Sequence, residues 1–205
     1  MEFLETVRYR WVYLILLLCL SVLLIPYSHA ADWRINTSPA QISFKTTGLM
    51  SIQGEFPKFE SIVQGDLFSP EKLQIDVKIQ ADQVTTGARV SDEILKGSSF
   101  FNVKKYPFVK FKSSSIRLLS PQNSLVQGNL TLAGITKPIE FKVNIAKPRI
   151  DQATQITTVN TSAEIQIDRK SWGMKGFDGF VDSVVIIRIY VPFITTSKNE
   201  SNVAQ

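Results

Sequence analysis

The most regular signal along the chain is an alternation of apolar and polar positions with a period of two. In Leu73-Gln74-Ile75-Asp76-Val77-Lys78-Ile79 every odd residue is aliphatic and every even one polar. Ile139-Glu140-Phe141-Lys142-Val143-Asn144-Ile145 repeats the pattern, as does Val126-Gln127-Gly128-Asn129-Leu130-Thr131-Leu132. Successive side chains of a strand face opposite sides, so these segments predict antiparallel strands with one apolar and one wet face. Shorter runs follow the same rule: Ile42 with Phe44, Val63 with Leu67, Val109 with Phe111, and Val159 through Ala163 to Ile167. In the last run Arg188 sets the parity. It turns Val185, Ile187, Ile189 and Val191 inward and leaves Val184, Ile186 and Tyr190 on an apolar outer face, which implies cover or a contact surface.

Turn signals divide the runs at Ser69-Pro70, Ser120-Pro121-Gln122-Asn123 and Ala133-Gly134-Ile135-Thr136-Lys137-Pro138. Only Arg89 to Lys96 breaks the period. Val90, Ile94 and Leu95 sit there at helical spacing, and Gly97 stands where a C-cap glycine would. An irregular aromatic segment follows, Phe100-Phe101-Asn102-Val103-Lys104-Lys105-Tyr106-Pro107. About eight short strands with one helix predict an all-β fold, either a sandwich or a closed antiparallel barrel, and a barrel of that size has room for side chains or one small ligand. Gly54, Gly65 and Gly128 interrupt strand patterns and mark bends or close backbone approaches.

The ends change the picture. Trp11 to Ile25 is apolar except for Ser21, is preceded by Arg8 and Arg10, and is closed by Pro26 and Ser28-His29-Ala30. That is the layout of a secretory leader, with cleavage expected after Ala30 and an uncleaved anchor as the alternative. Leu18 before Cys19 is too large for a lipoprotein signal. The domain is expected over residues 31–196 and a disordered tail over 197–205. The chain has one cysteine and one histidine, Cys19 and His29, and both lie in the leader. The exported part therefore lacks a disulfide, a thiolate nucleophile, an imidazole base and any Cys or His metal site, which excludes Ser-His-Asp and Cys-His catalysis. A remaining enzyme would need an Asp/Glu pair, and no spacing nominates one.

The net charge of +5 is spread along the strands, because Glu2, Glu5, Arg8 and Arg10 cancel within the leader. No basic patch is interleaved with stacking residues, so nucleic acid is not an expected partner. A weak attraction to an anionic membrane surface fits the charge better.

Several segments resemble the YceI-like family of exported polyisoprenoid-binding proteins. Ile42-Ser43-Phe44-Lys45 with Gly48 and Ile52-Gln53-Gly54-Glu55-Phe56 is similar to the family's opening. Asp92-Glu93-Ile94-Leu95-Lys96 with Phe100-Phe101-Asn102-Val103 and Tyr106-Pro107 resembles its helix and the stretch after it, and Phe111-Lys112-Ser113 its next strand. Gly128 to Pro138 is similar to its hairpin, and Asp168 to Met174 to its Arg-containing turn. The resemblance implies a lipocalin-like antiparallel β-barrel. Two departures stand out. Many relatives carry a His-Ser pair where this chain has Ser38-Pro39-Ala40-Gln41, and a helix histidine where Ile94 stands, so recognition of a polar head group is left open.

The resemblance implies a carrier without catalytic residues or a metal, holding an isoprenoid, a quinone-type lipid or a similar amphiphile in its lumen, with no cofactor required. The candidate ligand-binding residues at lumen and mouth are Phe44, Phe56, Phe100, Phe101, Phe111, Leu132, Phe141, Trp172, Met174 and Phe177. The Gly173-Gly176-Gly179 loop is expected either to gate the mouth or to be a plain hairpin loop, and Arg169 to make a surface salt bridge or meet a head group. The competing reading is an export-pathway module that docks a membrane protein through Val184, Ile186 and Tyr190. A homodimer is compatible with either.

Overall fold

The computed structural model describes residues 33–67 and 69–196. The expected leader, the expected cleavage site after Ala30 and the expected disordered tail lie outside the described residues. The alternating runs become eleven strands of one antiparallel sheet: β1 (Arg34–Ile35), β2 (Gln41–Gly48), β3 (Gln53–Glu55), β4 (Phe59–Gln64), β5 (Gln74–Gln80), β6 (Phe108–Ser120), β7 (Asn123–Leu132), β8 (Ile135–Ile145), β9 (Arg149–Ile150), β10 (Ile156–Asp168) and β11 (Val181–Thr196). Without the short β1, β3 and β9, eight strands of six residues or more remain, as the periodicity predicts.

The sheet runs β3-β2-β11-β10-β8-β7-β6-β5-β4 and curls on itself. Its edges, β3 and β4, are consecutive in sequence. The chain steps from one to the other through Pro57: the Phe56 N–H donates to Ile42 O at 2.9 Å, and the Gln80 N–H to Lys58 O at 3.0 Å. Below that crossing, side chains close the seam. β1 pairs with β11 and lies against β4, and Trp33 Nε1 donates to Asp66 Oδ1 at 2.9 Å. Trp33 is buried there with Val159, Val191 and Phe193, against Val63, Leu67 and Ile75.

Strand parity follows the sequence. Val159, Thr161, Ile165 and Ile167 are buried along β10, and Val184, Arg188 and Tyr190 are exposed along β11. The hairpin β10–β11 holds an unbroken register from Ile156↔Thr196 to Asp168↔Val184, and the sheet's irregularities fall elsewhere, as between Val181 and Val185 against β2.

The link from β5 to β6 folds over one end of the barrel. It contains helix α1 (Arg89–Lys96), at the position the spacing predicts. Its packing differs from expectation: Leu95 is buried, whereas Val90 and Ile94 face outward. A two-turn helix at the rim presents only a narrow stripe to the barrel, and the wall is completed by Phe100 and Phe101 instead. Gly97 caps α1 with φ −66°, not in the left-handed region. A side chain there would meet Ile94 O at 3.0 Å, so close packing accounts for the glycine.

Candidate functional site

Inward side chains from β2, β5, β6, β7, β8, β10 and β11, with Phe100 and Phe101 above them, enclose a cavity of about 160 Å³. No polar atom faces it, although Thr46 and Arg169 belong to its wall. The Thr46 hydroxyl is turned away to Ile52, accepting from its N–H at 2.9 Å.

Eight of the ten candidate residues line this cavity: Phe44, Phe56, Phe100, Phe101, Phe111, Leu132, Phe141 and Met174. They come from seven separate places in the chain, and the barrel brings them together. Phe44, Phe56 and Phe101 form one cluster with ring centroids 5.4 to 6.2 Å apart, two of the contacts edge-on. Phe111 and Phe141 form a second pair at 5.6 Å. Such tilted contacts match the positive ring edge of one aromatic to the negative face of another.

The other two candidates stand elsewhere. Trp172 is buried behind the wall, with Nε1 donating to Leu130 O at 3.3 Å, and it makes no part of the cavity lining. Its indole N–H needs a partner when buried, and the β7 carbonyl supplies one away from the lumen. Phe177 lies on the outer surface and stacks on Phe100 at 5.8 Å. Phe100 is thus the partition between this loop and the lumen.

Arg169 departs furthest from expectation. It is neither in a surface salt bridge nor open to a head group: only 2 % of it is exposed. Its guanidinium donates through Nε to Asp182 O (3.0 Å), through Nη1 to Met174 O and Gly176 O (both 2.8 Å), and through Nη2 to Val181 O (3.0 Å). A planar fork of five donors can gather several carbonyls at once, which an ammonium cannot. Arg169 therefore sets the shape of the loop from Met174 to Asp182. The sequence signal for this was the chain of glycines around it, which leaves backbone carbonyls accessible, but spacing alone does not reveal where they converge.

Glycines seat the aromatic rings. A Cβ at Gly176 would stand 2.2 Å from the Phe100 ring, one at Gly128 2.5 Å from Phe111, and one at Gly134 2.3 Å from Tyr106. Gly54 lies under Phe44 in the same way, at 2.7 Å. The strand glycines thus mark close approaches, in keeping with their positions in the pattern.

Apart from the buried Arg169, the charged pairs at this end lie toward the outside. Lys170 pairs with Asp178 and holds its carboxyl below the usual range. The Thr86 hydroxyl and N–H do the same for Asp92, at 2.7 and 2.6 Å.

Comparison with known proteins agrees with this architecture. The fold is shared with Burkholderia cenocepacia BcnA, whose crystal structure superposes with a TM-score of 0.69 at 19% identity, over 78% of this chain and 99% of that one. A Campylobacter jejuni YceI protein matches with a TM-score of 0.62 at 21% identity, over 71% and 86%. A polyisoprenoid binding domain from Saccharophagus degradans matches with 0.59 at 13% identity, over 82% and 99%. In sequence, a UPF0312 protein of Pseudomonas putida F1 is 31% identical over 111 residues, 54% of this chain and 53% of that protein. The aligned region spans about half the length of that relative. The model of the YceI-like domain matches residues 33–193, nearly the whole described barrel, and the chain belongs to the YceI-like family.

Proposed function

We propose that the protein is a carrier that holds the hydrocarbon part of a long-chain amphiphile, an isoprenoid or a quinone-type tail, inside the barrel, and that it works outside the cytoplasm after export by its leader. The observation that carries this reading is the lumen itself, walled by aliphatic and aromatic side chains with no polar atom turned inward. A similar domain described as polyisoprenoid binding supports the ligand class.

Magnitudes narrow the mechanism. An apolar cavity of about 150 Å³ in another protein stays dry and takes benzene. At about 160 Å³ the present lumen matches one isoprene unit. Five buried carbons contribute about 4 kcal/mol, which corresponds to millimolar binding, while ten contribute roughly 8 kcal/mol before ordering costs. Firm retention of a long chain thus requires the aromatic clusters to turn aside and lengthen the channel. Because no polar group faces the lumen, the head group stays at the mouth or beyond it, and the histidines absent from this chain are not needed to bury a tail.

Solvent extraction of natively purified protein followed by mass spectrometry tests the reading. A stoichiometric long-chain lipid is expected. Val185→Phe, which fills the lumen from β11, is expected to reduce the extracted lipid without lowering the yield of folded protein. An extract without lipid, together with failure of benzene to raise the unfolding temperature, would overturn it.

A further inference from the structure

Around the lumen's Phe100 wall, apolar side chains gather on the outside where water would be expected to favour polar ones. Leu49 is 85% exposed and Met50 47% exposed, both at the β2–β3 turn. Phe180 is 55% exposed and Phe177 38% exposed, both in the β10–β11 loop. The two loops are one surface: the Met50 N–H donates to Phe180 O at 2.9 Å, and a side chain on Gly48 would touch Phe180 O and Asp182 N. Phe177 has φ +53°, a left-handed conformation that is strained for an aromatic residue, yet it is held between Gly176 and Gly179 with its ring outside. Arg169 fixes this loop from below through its four carbonyls.

We propose that this rim, Leu49, Met50, Phe177 and Phe180, is a membrane-docking surface that seats the barrel on an anionic phospholipid bilayer, where hydrocarbon passes between bilayer and lumen. The inference rests on the carrier reading for its purpose. Three observations favour a bilayer over another occupant. The apolar side chains project from loop tips, a shape suited to entering the headgroup layer. The surrounding cations suit an anionic one: Lys175 shares the loop, Lys104 and Lys105 follow α1 at the same end, all three are exposed, and none has an ion-pair partner among the described residues. Of the nearby carboxylates, Asp178 is paired with Lys170, while Asp182 accepts from the Thr47 hydroxyl and keeps its charge, so the three lysines outnumber it. Finally, the patch is continuous with the lumen, since exposed Phe177 stacks on Phe100 and Phe100 lines the cavity. A cargo that only a polar-free cavity can hold has its reservoir in a bilayer, and a single ring separates the two.

The test is co-sedimentation of the purified protein with phosphatidylglycerol/phosphatidylcholine vesicles, comparing wild type, Leu49→Ser/Phe180→Ser and Tyr190→Ser. Wild type and the β11 variant are expected in the pellet. The double variant is expected to bind about tenfold or more weakly, since two large apolar side chains leave the interface. Raising salt to about 0.5 M is expected to release the wild type. Neither substituted rim residue faces the lumen, and benzene uptake without vesicles reads the lumen separately, so failure of the carrier reading appears there and failure of docking in the pellet. Wild type left in the supernatant, or a double variant that sediments like wild type, would overturn the proposal. So would a dimer, seen by analytical ultracentrifugation, that the double variant dissociates, because a second copy would then be the occupant.

Discussion

The ring of Phe100 rests directly on the backbone of Gly176, so close that a Cβ there would stand 2.2 Å from a ring carbon. One face of the ring thereby meets the β10–β11 loop while the residue closes the lumen, and the loop's position and the cavity's length are set by one contact. Gly176→Ala is expected to destabilise the fold by about 1–3 kcal/mol, the usual cost of overpacking a fitted site. Combining it with Phe100→Leu should recover part of that loss, because the two positions share the space and their effects do not add. Denaturant midpoints of the two single variants and the double variant measure this, and strict additivity would show that the contact is not the cause.

Arg169→Met removes the donor from four carbonyls, and of these contacts the ones to Met174 O and Val181 O are buried. Each unsatisfied buried group costs about 1–3 kcal/mol, so a loss of roughly 3 kcal/mol or more is expected, limited by how far the loop can relax toward water. Arg169→Lys should recover less than half, since one ammonium cannot reach all four acceptors. Limited trypsin digestion gives the local readout. Cleavage after Lys175 should accelerate before the barrel as a whole opens.

Trp33 closes the seam that the backbone ladder leaves between β1 and β4. Trp33→Ala is expected to cost about 3–5 kcal/mol, as for other large aromatic truncations in a core. Trp33→Phe retains most of the apolar contact and loses the bond to Asp66, so it should cost less. Urea unfolding of both variants, with hydrogen exchange across β4, tests whether the seam is held by the ring or by the polar contact.

Asp92 makes an acid-side prediction. Bonds from Thr86 hold its carboxyl below the usual range, so its folded pKa is lower than its unfolded one. Such a group contributes its full stabilisation above the unfolded pKa and loses it as pH falls toward the folded pKa. Asp92→Asn should therefore be less stable than wild type at neutral pH, with the gap narrowing below about pH 4. Urea midpoints at neutral pH and at about pH 3 check the sign, and a gap that widens in acid would contradict it.

Much of the site could be read in the chain because strand side chains alternate whatever their partners are. Phe44, Phe111 and Phe141 sit on the inward parity of their strands, and the structure places all three on the lumen. Phe100 and Phe101 were legible for another reason, being too aromatic for an irregular segment that only spans a gap. Loop residues have no such parity. Trp172 and Phe177 share a glycine-rich stretch with Met174, yet one turns into the wall, one faces the lumen and one faces out.

The antiparallel strands, their inward faces, the helix at Arg89–Lys96 and the family were legible in the chain, since each depends on local periodicity or on motifs in order. Tertiary structure alone decided where the sheet's edges meet, that Arg169 is buried among carbonyls, which glycine receives which ring, and how little space is left inside. Those outcomes depend on side chains distant in the chain reaching across the barrel to one another, and no local pattern encodes that distance.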